Sequence, residues 1–165
     1  MGLDLNLAME MERWSRNGVS FSIAMVQIDN LGRIQEYEGP AGGNATLREV
    51  AVAIGGQLRG TDVIGRFTGD LFLLILSQTV QAEARIVAER ISGEVGKLKL
   101  LTNTQPMTLS IGITESAPNE TVAQMLDRAE QALFLARQAG ENCTRVVLAA
   151  NTDTEAADSQ ISATA

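Results

Sequence analysis

The chain has 165 residues, 45% of them hydrophobic, and a formal charge of −7 at neutral pH, the make-up of one ordinary domain with enough interior to fold without staples. It has no histidine and a single cysteine, Cys143, which removes Ser-His-Asp catalysis, zinc sites and an internal disulfide. No apolar run reaches the roughly 18 residues of a membrane span, the first residues do not form a signal peptide, and no Lys/Arg run offers a basic face. A cytoplasmic protein with no membrane insertion and no nucleic-acid partner is expected, with a small anionic ligand held by a few arginines left open.

Leu3, Leu7, Met11 and Trp14 recur at three- and four-residue spacing and predict an amphipathic helix over Leu3–Arg16. Asn17-Gly18 ends it, and Phe21–Asp29 reads as a strand apolar on both faces, the pattern of a central strand. Open sheets hold ligands beyond strand ends, which draws attention to Gln27, Ile28 and Asp29. In Asn30–Gly43 the breakers Gly39-Pro40 and Gly42-Gly43 predict a turn or two of helix and then a loop. Asn44 is placed to cap a helix over Ala45–Arg59 with Leu47, Val50, Ile54 and Leu58 on one face. Gly55-Gly56 weaken that helix by about 1 kcal/mol per glycine; close backbone packing and a frayed last turn both account for them.

The densest polar grouping near the apolar runs is Leu58–Phe72, with two charge pairs, Arg59 with Asp62 and Arg66 with Asp70. Val63–Phe67 and Leu71–Leu76 are rich in β-formers, so Thr68-Gly69-Asp70 between them reads as a tight hairpin with glycine at positive φ. Ala84, Val87, Ile91 and Val95 mark a helix over Gln81–Val95, Lys97–Leu101 a short edge strand, and Asn103–Pro106 a turn. Met107–Thr114 alternates apolar with small or polar residues, a strand buried mainly on one face. Thr121 opens a last helix carrying Val122, Met125, Ala129, Leu133 and Ala136 inward, and Gly140 stops it before a strand over Thr144–Leu148. Asn151–Ala165 is small and polar, expected to be disordered or a linker remnant. Trp14 and the methionines Met9, Met11, Met25, Met107 and Met125 fall mostly on core faces.

The expected fold class is α/β (α+β), a central mixed, mainly antiparallel sheet of about five strands flanked by helices. Residues 1–18 form a lead helix packed on the domain, 19–149 the domain, and 150–165 the tail.

Several segments, in this order and at these distances, carry a resemblance. They are the strand Ile23–Asp29, Leu47-Arg48-Glu49-Val50-Ala51, the hairpin Arg66–Phe72, Ala88-Glu89-Arg90-Ile91, Ser110-Ile111-Gly112, and Arg128-Ala129 running to Ala139-Gly140-Glu141-Asn142. Together they resemble the GGDEF domain of diguanylate cyclases, with its nucleotide-cyclase, palm-like fold. That resemblance implies condensation of two GTP molecules into cyclic di-GMP by a dimer, with magnesium held by hard oxygens. The family's metal-holding positions fall on Gln27, the Ile28 carbonyl and Asp70, and its signature on Thr68-Gly69-Asp70-Leu71-Phe72. Gln27 is neutral, Thr68 adds a side chain where nucleotide packs, and Leu71 can neither take a proton nor polarise water. The guanine-recognising positions are Gln35 and Asn44, and two phosphate-facing ones are Gly32 and Glu141, with Arg137 alone keeping positive charge. These departures lead to the expectation of no catalytic residues, no cyclase activity, and magnesium only if GTP still binds at Asp70. Asp29 is expected to pair with Arg137.

The family's second site, which binds the product and inhibits, is marked by Arg-x-x-Asp five residues before the signature. Arg59-Gly60-Thr61-Asp62 stands there, with Arg90 in the place of a supporting arginine. An arginine fork suits guanine O6 and N7, a carboxylate suits the guanine N1–H and N2–H edge, and a further arginine offsets phosphate. The expected function is therefore an inactive GGDEF-like signalling domain of a bacterium. It would bind cyclic di-GMP through Arg59, Asp62 and Arg90 and relay it to linked domains or a partner protein of a longer chain, with a second copy as a candidate partner. Alternatives are an interaction scaffold that binds no nucleotide and a GTP-sensing regulator of a linked phosphodiesterase.

Overall fold

A computed structural model of the chain describes residues 2–98 and 106–150. Its elements are α1 (Leu3–Asn17), β1 (Ser22–Ile28), α2 (Leu31–Gly55), β2 (Val63–Thr68), β3 (Leu71–Leu76), α3 (Gln81–Gly96), β4 (Leu109–Glu115), α4 (Val122–Gln138) and β5 (Cys143–Val146). The strands form one sheet in the order β2-β3-β1-β4-β5, antiparallel throughout except for the parallel β4–β5 pair. This is the mixed, mainly antiparallel sheet expected, and the both-faces-apolar Phe21–Asp29 run supplies its middle strand.

Strand alternation divides the core into two layers. Ala24, Val26 and Ile28 of β1 join Phe72, Leu74 and Leu76 of β3 beneath Val50 and Ile54 of α2 and Ala88, Ile91 and Val95 of α3. On the opposite face Ile23, Met25, Leu73 and Ile75 meet Leu7 of α1 and Met125, Ala129 and Leu133 of α4. Each fully buried aliphatic side chain contributes about 1.5–3 kcal/mol, so both helical layers are held to the sheet by ordinary burial. Met25, Met107 and Met125 lie in these layers, whereas Met9 is 46% exposed.

β4 departs from expectation because it is buried on both faces. A Cβ on Gly112 would lie 2.2 Å from the Leu133 nitrogen and 2.6 Å from the Ala129 carbonyl oxygen. The small residues of β4 thus face α4, whose backbone comes down onto the strand where side chains are absent. Arg128 of α4 secures this contact by donating to Thr114 Oγ1 at 2.7 Å, to the Glu115 carbonyl at 2.9 Å and to Glu120 at 2.5 Å. Thr121 caps α4 through a reciprocal pair of bonds with Gln124.

Three boundaries move. Gly39, at φ 76° and ψ 178°, breaks α2 into segments 31–38 and 40–55, and Pro40, with its φ preset, opens the second. That helix therefore begins at Pro40, and Asn44 sits on its exposed side rather than capping it. Gly55 ends the helix, with Gly56 as its cap, and a Cβ on Gly55 would meet nothing within 4 Å, which excludes close packing as its reason. β5 begins one residue earlier than expected. Lys97 and Leu98 are not strand; the rest of the expected edge strand, Asn103 to Gln105 of the expected turn, and the tail from Asn151 lie outside the described residues. Among the described residues no helix is long and apolar enough to cross a membrane.

Candidate functional site

The β2–β3 hairpin carries one candidate site at each end. At its turn, Gly69 takes φ 48° and the pairing slips between Arg66 and Thr68, so the turn bulges where the chain reverses. Arg66 and Asp70 do not pair as expected. Arg66 Nη2 instead donates to the Gly69 carbonyl across the turn, and Asp70 Oδ2 accepts from Gln27 Nε2 at 3.2 Å. Gln27 lies opposite Leu71 in the β1–β3 register, which brings its amide beside Asp70. Its Oε1 is buried without a hydrogen-bond partner, a cost of about 1–3 kcal/mol for such a group. Leu71 is half-buried against the apolar layer beneath α1 and α4, while Thr68 and Gly69 are exposed.

Asp29, at the end of β1, is 5% exposed. Its carboxylate accepts from Thr108 Oγ1 at 2.6 Å, Ser110 Oγ at 2.7 Å and the Asn142 nitrogen at 3.0 Å. The expected Asp29–Arg137 ion pair is absent, since short hydroxyls at the start of β4, on Thr108 and Ser110, satisfy the carboxylate without burying a guanidinium. Glu141 also faces Asp29. Its carboxyl is held above the ordinary glutamate range by its side-chain hydrogen bond with Asp29, then by burial and the Asp29 charge, with Arg137 pulling the other way. Gln35 and Asn44 are both exposed on α2. The Gln35 side chain folds over Gly43, 2.6 Å from where a Cβ there would stand, so the kink at Gly39 brings Gln35 back against the segment that carries Asn44.

Magnesium requires several hard oxygens in near-octahedral array. Here Asp70 offers one carboxylate, Gln27 presents an N–H to it, and the Asp29 oxygens are engaged. Among the described residues no group of three or more His, Cys, Asp or Glu is placed to hold a metal. These residues form no all-protein magnesium cage; Asp70 supplies the single carboxylate that a cation held mainly by nucleotide phosphates and water would use.

The other end of the hairpin is built differently. Arg59 and Asp62 lie between α2 and β2, and Ser77 to Thr79 between β3 and α3. Asp62 accepts from the Arg59 backbone nitrogen at 2.9 Å, from Arg59 Nη2 at 3.3 Å and Nε at 3.4 Å, and from the Ser77 nitrogen at 3.2 Å. Arg59 Nη2 also donates to the Ser77 carbonyl at 2.5 Å and to Thr79 Oγ1 at 2.7 Å. The Arg59 side chain is 56% exposed and that of Asp62 only 3%. Asp62 is thus a buried anchor that aims a solvent-facing guanidinium, whose Nη1 makes no hydrogen bond among the described residues. Arg90 of α3 joins the same turn by donating to the Gln57 carbonyl at 3.0 Å.

Sequence reading located Arg59, Asp62 and Arg90 but missed Gln57, Ser77 and Thr79. The signal available was a Ser-Gln-Thr step directly after the apolar run Leu71–Leu76, polar residues where a strand ends against a buried carboxylate.

A family model described as "Diguanylate cyclase, GGDEF domain" matches residues 1–143. Diguanylate cyclase A of Treponema denticola is 33% identical over 135 residues, covering 80% of this chain and 36% of that protein. Diguanylate cyclase DgcP of Pseudomonas aeruginosa is 31% identical over 142 residues, covering 85% of this chain and 21% of that protein. The chain thus spans about a third or less of these curated relatives. The coiled coil and GGDEF domain of DgcB from Caulobacter crescentus, solved in complex with c-di-GMP, superposes with a TM-score of 0.80 at 26% identity, over 88% of this chain and 78% of that one.

These relatives correct the expectation that the chain is not an enzyme. They are named diguanylate cyclases and align over most of its length, so the altered residues in Thr68–Phe72 are no ground for excluding activity. The hairpin keeps its glycine at positive φ and keeps Asp70 beside the end of β1.

Proposed function

Because the chain belongs to the GGDEF domain family, we propose that it is a cyclic di-GMP signalling domain that binds cyclic di-GMP at the turn of Arg59, Asp62 and Arg90. One observation carries this reading: the Arg59 side chain is more than half exposed while the direction of its guanidinium is fixed by Asp62, the Ser77 carbonyl and Thr79. A surface arginine ordinarily loses rotamer freedom on binding; here that cost is met on folding, which favours affinity. The free Nη1 N–H groups of Arg59 and the remaining donors of Arg90 suit the acceptor edge of guanine and the phosphates. Asp62 acts by holding Arg59 rather than by touching the ligand. DgcB, solved with c-di-GMP, lends support by likeness.

In this proposal residues 1–18 form a lead helix, 19–149 the signalling domain, and 150–165 a tail or linker remnant. Ligand would act by favouring one arrangement of the domain and its neighbours over another. Thermal melting of ligand-free protein tests the reading. Cyclic di-GMP at about 100 times its dissociation constant stabilises by about 2.7 kcal/mol, a rise of about 5–10 °C, and Arg59→Ala removes the rise. An unchanged melting temperature at saturating ligand contradicts it.

A further inference from the structure

Ser77 directly follows β3, is 2% exposed, and directs its two backbone groups to the Arg59–Asp62 turn and its hydroxyl to α1. Its N–H donates to Asp62 Oδ1 at 3.2 Å and its carbonyl accepts from Arg59 Nη2 at 2.5 Å. Its hydroxyl accepts from Nη1 of Arg13, on α1, at 3.3 Å. The turn around it has little slack. Thr79 Oγ1 donates to the Ser77 carbonyl at 2.8 Å, the Thr79 carbonyl accepts from Ser22 Oγ of β1 at 2.7 Å, and Gln78 between them sits at φ 51°. At the other end of α1, Leu3 covers Gly65 of β2, its Cδ2 2.8 Å from where a Cβ would stand. The helix is therefore seated on the β2–β3 hairpin by an apolar contact at one end and by the Arg13–Ser77 bond at the other.

We propose that Ser77 is a positioning residue that couples the cyclic di-GMP site to α1, so that occupancy at Arg59 and the seating of α1 alter one another. The inference rests on the site reading above and adds its route of regulation. A ligand acceptor that draws on the Arg59 guanidinium redistributes the bonds to the Ser77 carbonyl and Asp62. Ser77 is buried and tied at both backbone groups, so its hydroxyl shifts against Arg13. Coupling of this kind is reciprocal, and loosening α1 weakens ligand by the same factor.

Hydrogen exchange of the α1 amides, with and without cyclic di-GMP, tests this in the wild-type protein and in Ser77→Ala, Arg13→Gln, the double variant and Arg13→Lys. Dissociation constants are measured in parallel. In the wild type, saturating ligand slows exchange around Arg13 by about fivefold. Either single variant abolishes that ligand-dependent slowing and weakens binding by about fivefold; the double variant adds nothing further, and Arg13→Lys restores part of both. A purely structural Ser77 would lower the melting temperature while leaving the ligand-dependent slowing intact. Should Ser77→Ala fail to fold, Arg13→Gln carries the test, since that side chain is 44% exposed. Binding by the wild type with α1 exchange unmoved, or slowing that persists in the double variant, overturns the coupling alone. A wild type that binds no cyclic di-GMP overturns the site and the coupling together.

Discussion

The two ends of the β2–β3 hairpin hold the same residue types, an arginine and an aspartate a few positions apart, and the fold uses them in opposite ways. At the α2–β2 turn, Asp62 is buried and saturated by donors, and it holds Arg59 outward. At the hairpin turn Arg66 closes on its own backbone, Asp70 accepts one amide bond, and the donor's Oε1 is left buried without a partner. What separates them is the backbone nearby. The Ser77–Thr79 corner offers a nitrogen, a carbonyl and a hydroxyl to the first pair, whereas the bulged turn at Gly69 offers the second a single carbonyl. Organisation in advance of ligand belongs to the first end; unsatisfied polarity belongs to the second.

The largest effect is expected at Asp62. Asp62→Ala strands the Arg59 guanidinium and the Arg59 and Ser77 nitrogens, costing about 2–3 kcal/mol of stability. It lowers the melting temperature by about 5–10 °C and weakens cyclic di-GMP by about 100-fold, as for a lost hot-spot residue. Next, Gln27→Asp sets a carboxylate beside Asp70. Without metal it destabilises by about 1–2 kcal/mol through like-charge repulsion; magnesium restores the melting temperature. Asp70→Ala, by contrast, removes one 3.2 Å bond from an amide and costs about 0.5–1 kcal/mol. Equal losses in Asp62→Ala and Asp70→Ala melts would erase the distinction between the two ends.

The smallest effect is at Glu141. Its folded pKa is raised above 4.5 by the hydrogen bond to Asp29, so the stability it contributes is fully present below about pH 4.5 and is lost as pH rises through the folded value. Glu141→Gln keeps the protonated form's bond without its charge. It should raise the melting temperature by about 1–2 °C at pH 7 and leave it unchanged at pH 4, which melts at the two pH values check.

The sheet and its helices were legible because burial imposes period: Leu3, Leu7, Met11 and Trp14 on α1, and the doubly apolar run that becomes β1. Gly112 shows where that logic stopped. Small and polar residues alternating with apolar ones look like a solvent-facing side, and only the approach of the α4 backbone makes them interior. At the site, the family resemblance fixed the register that singled out Arg59 and Asp62, which lie three residues apart in the chain. The partners that give them their roles lie elsewhere, Ser77 and Thr79 across a hairpin and Arg13 on the first helix, and a polar residue at a strand end has no periodic mark. Asp29 was assigned to Arg137 by charge, while the fold satisfied it with Thr108 and Ser110, reachable only through the β1–β4 register.

The most direct measurement is a calorimetric titration of cyclic di-GMP into the ligand-free protein and into Arg59→Ala. The account predicts saturable binding by the wild type and a dissociation constant weakened by about 30-fold or more in the variant, the loss expected for charge-assisted bonds. No heat from the folded wild type, or undiminished binding in Arg59→Ala, would contradict it.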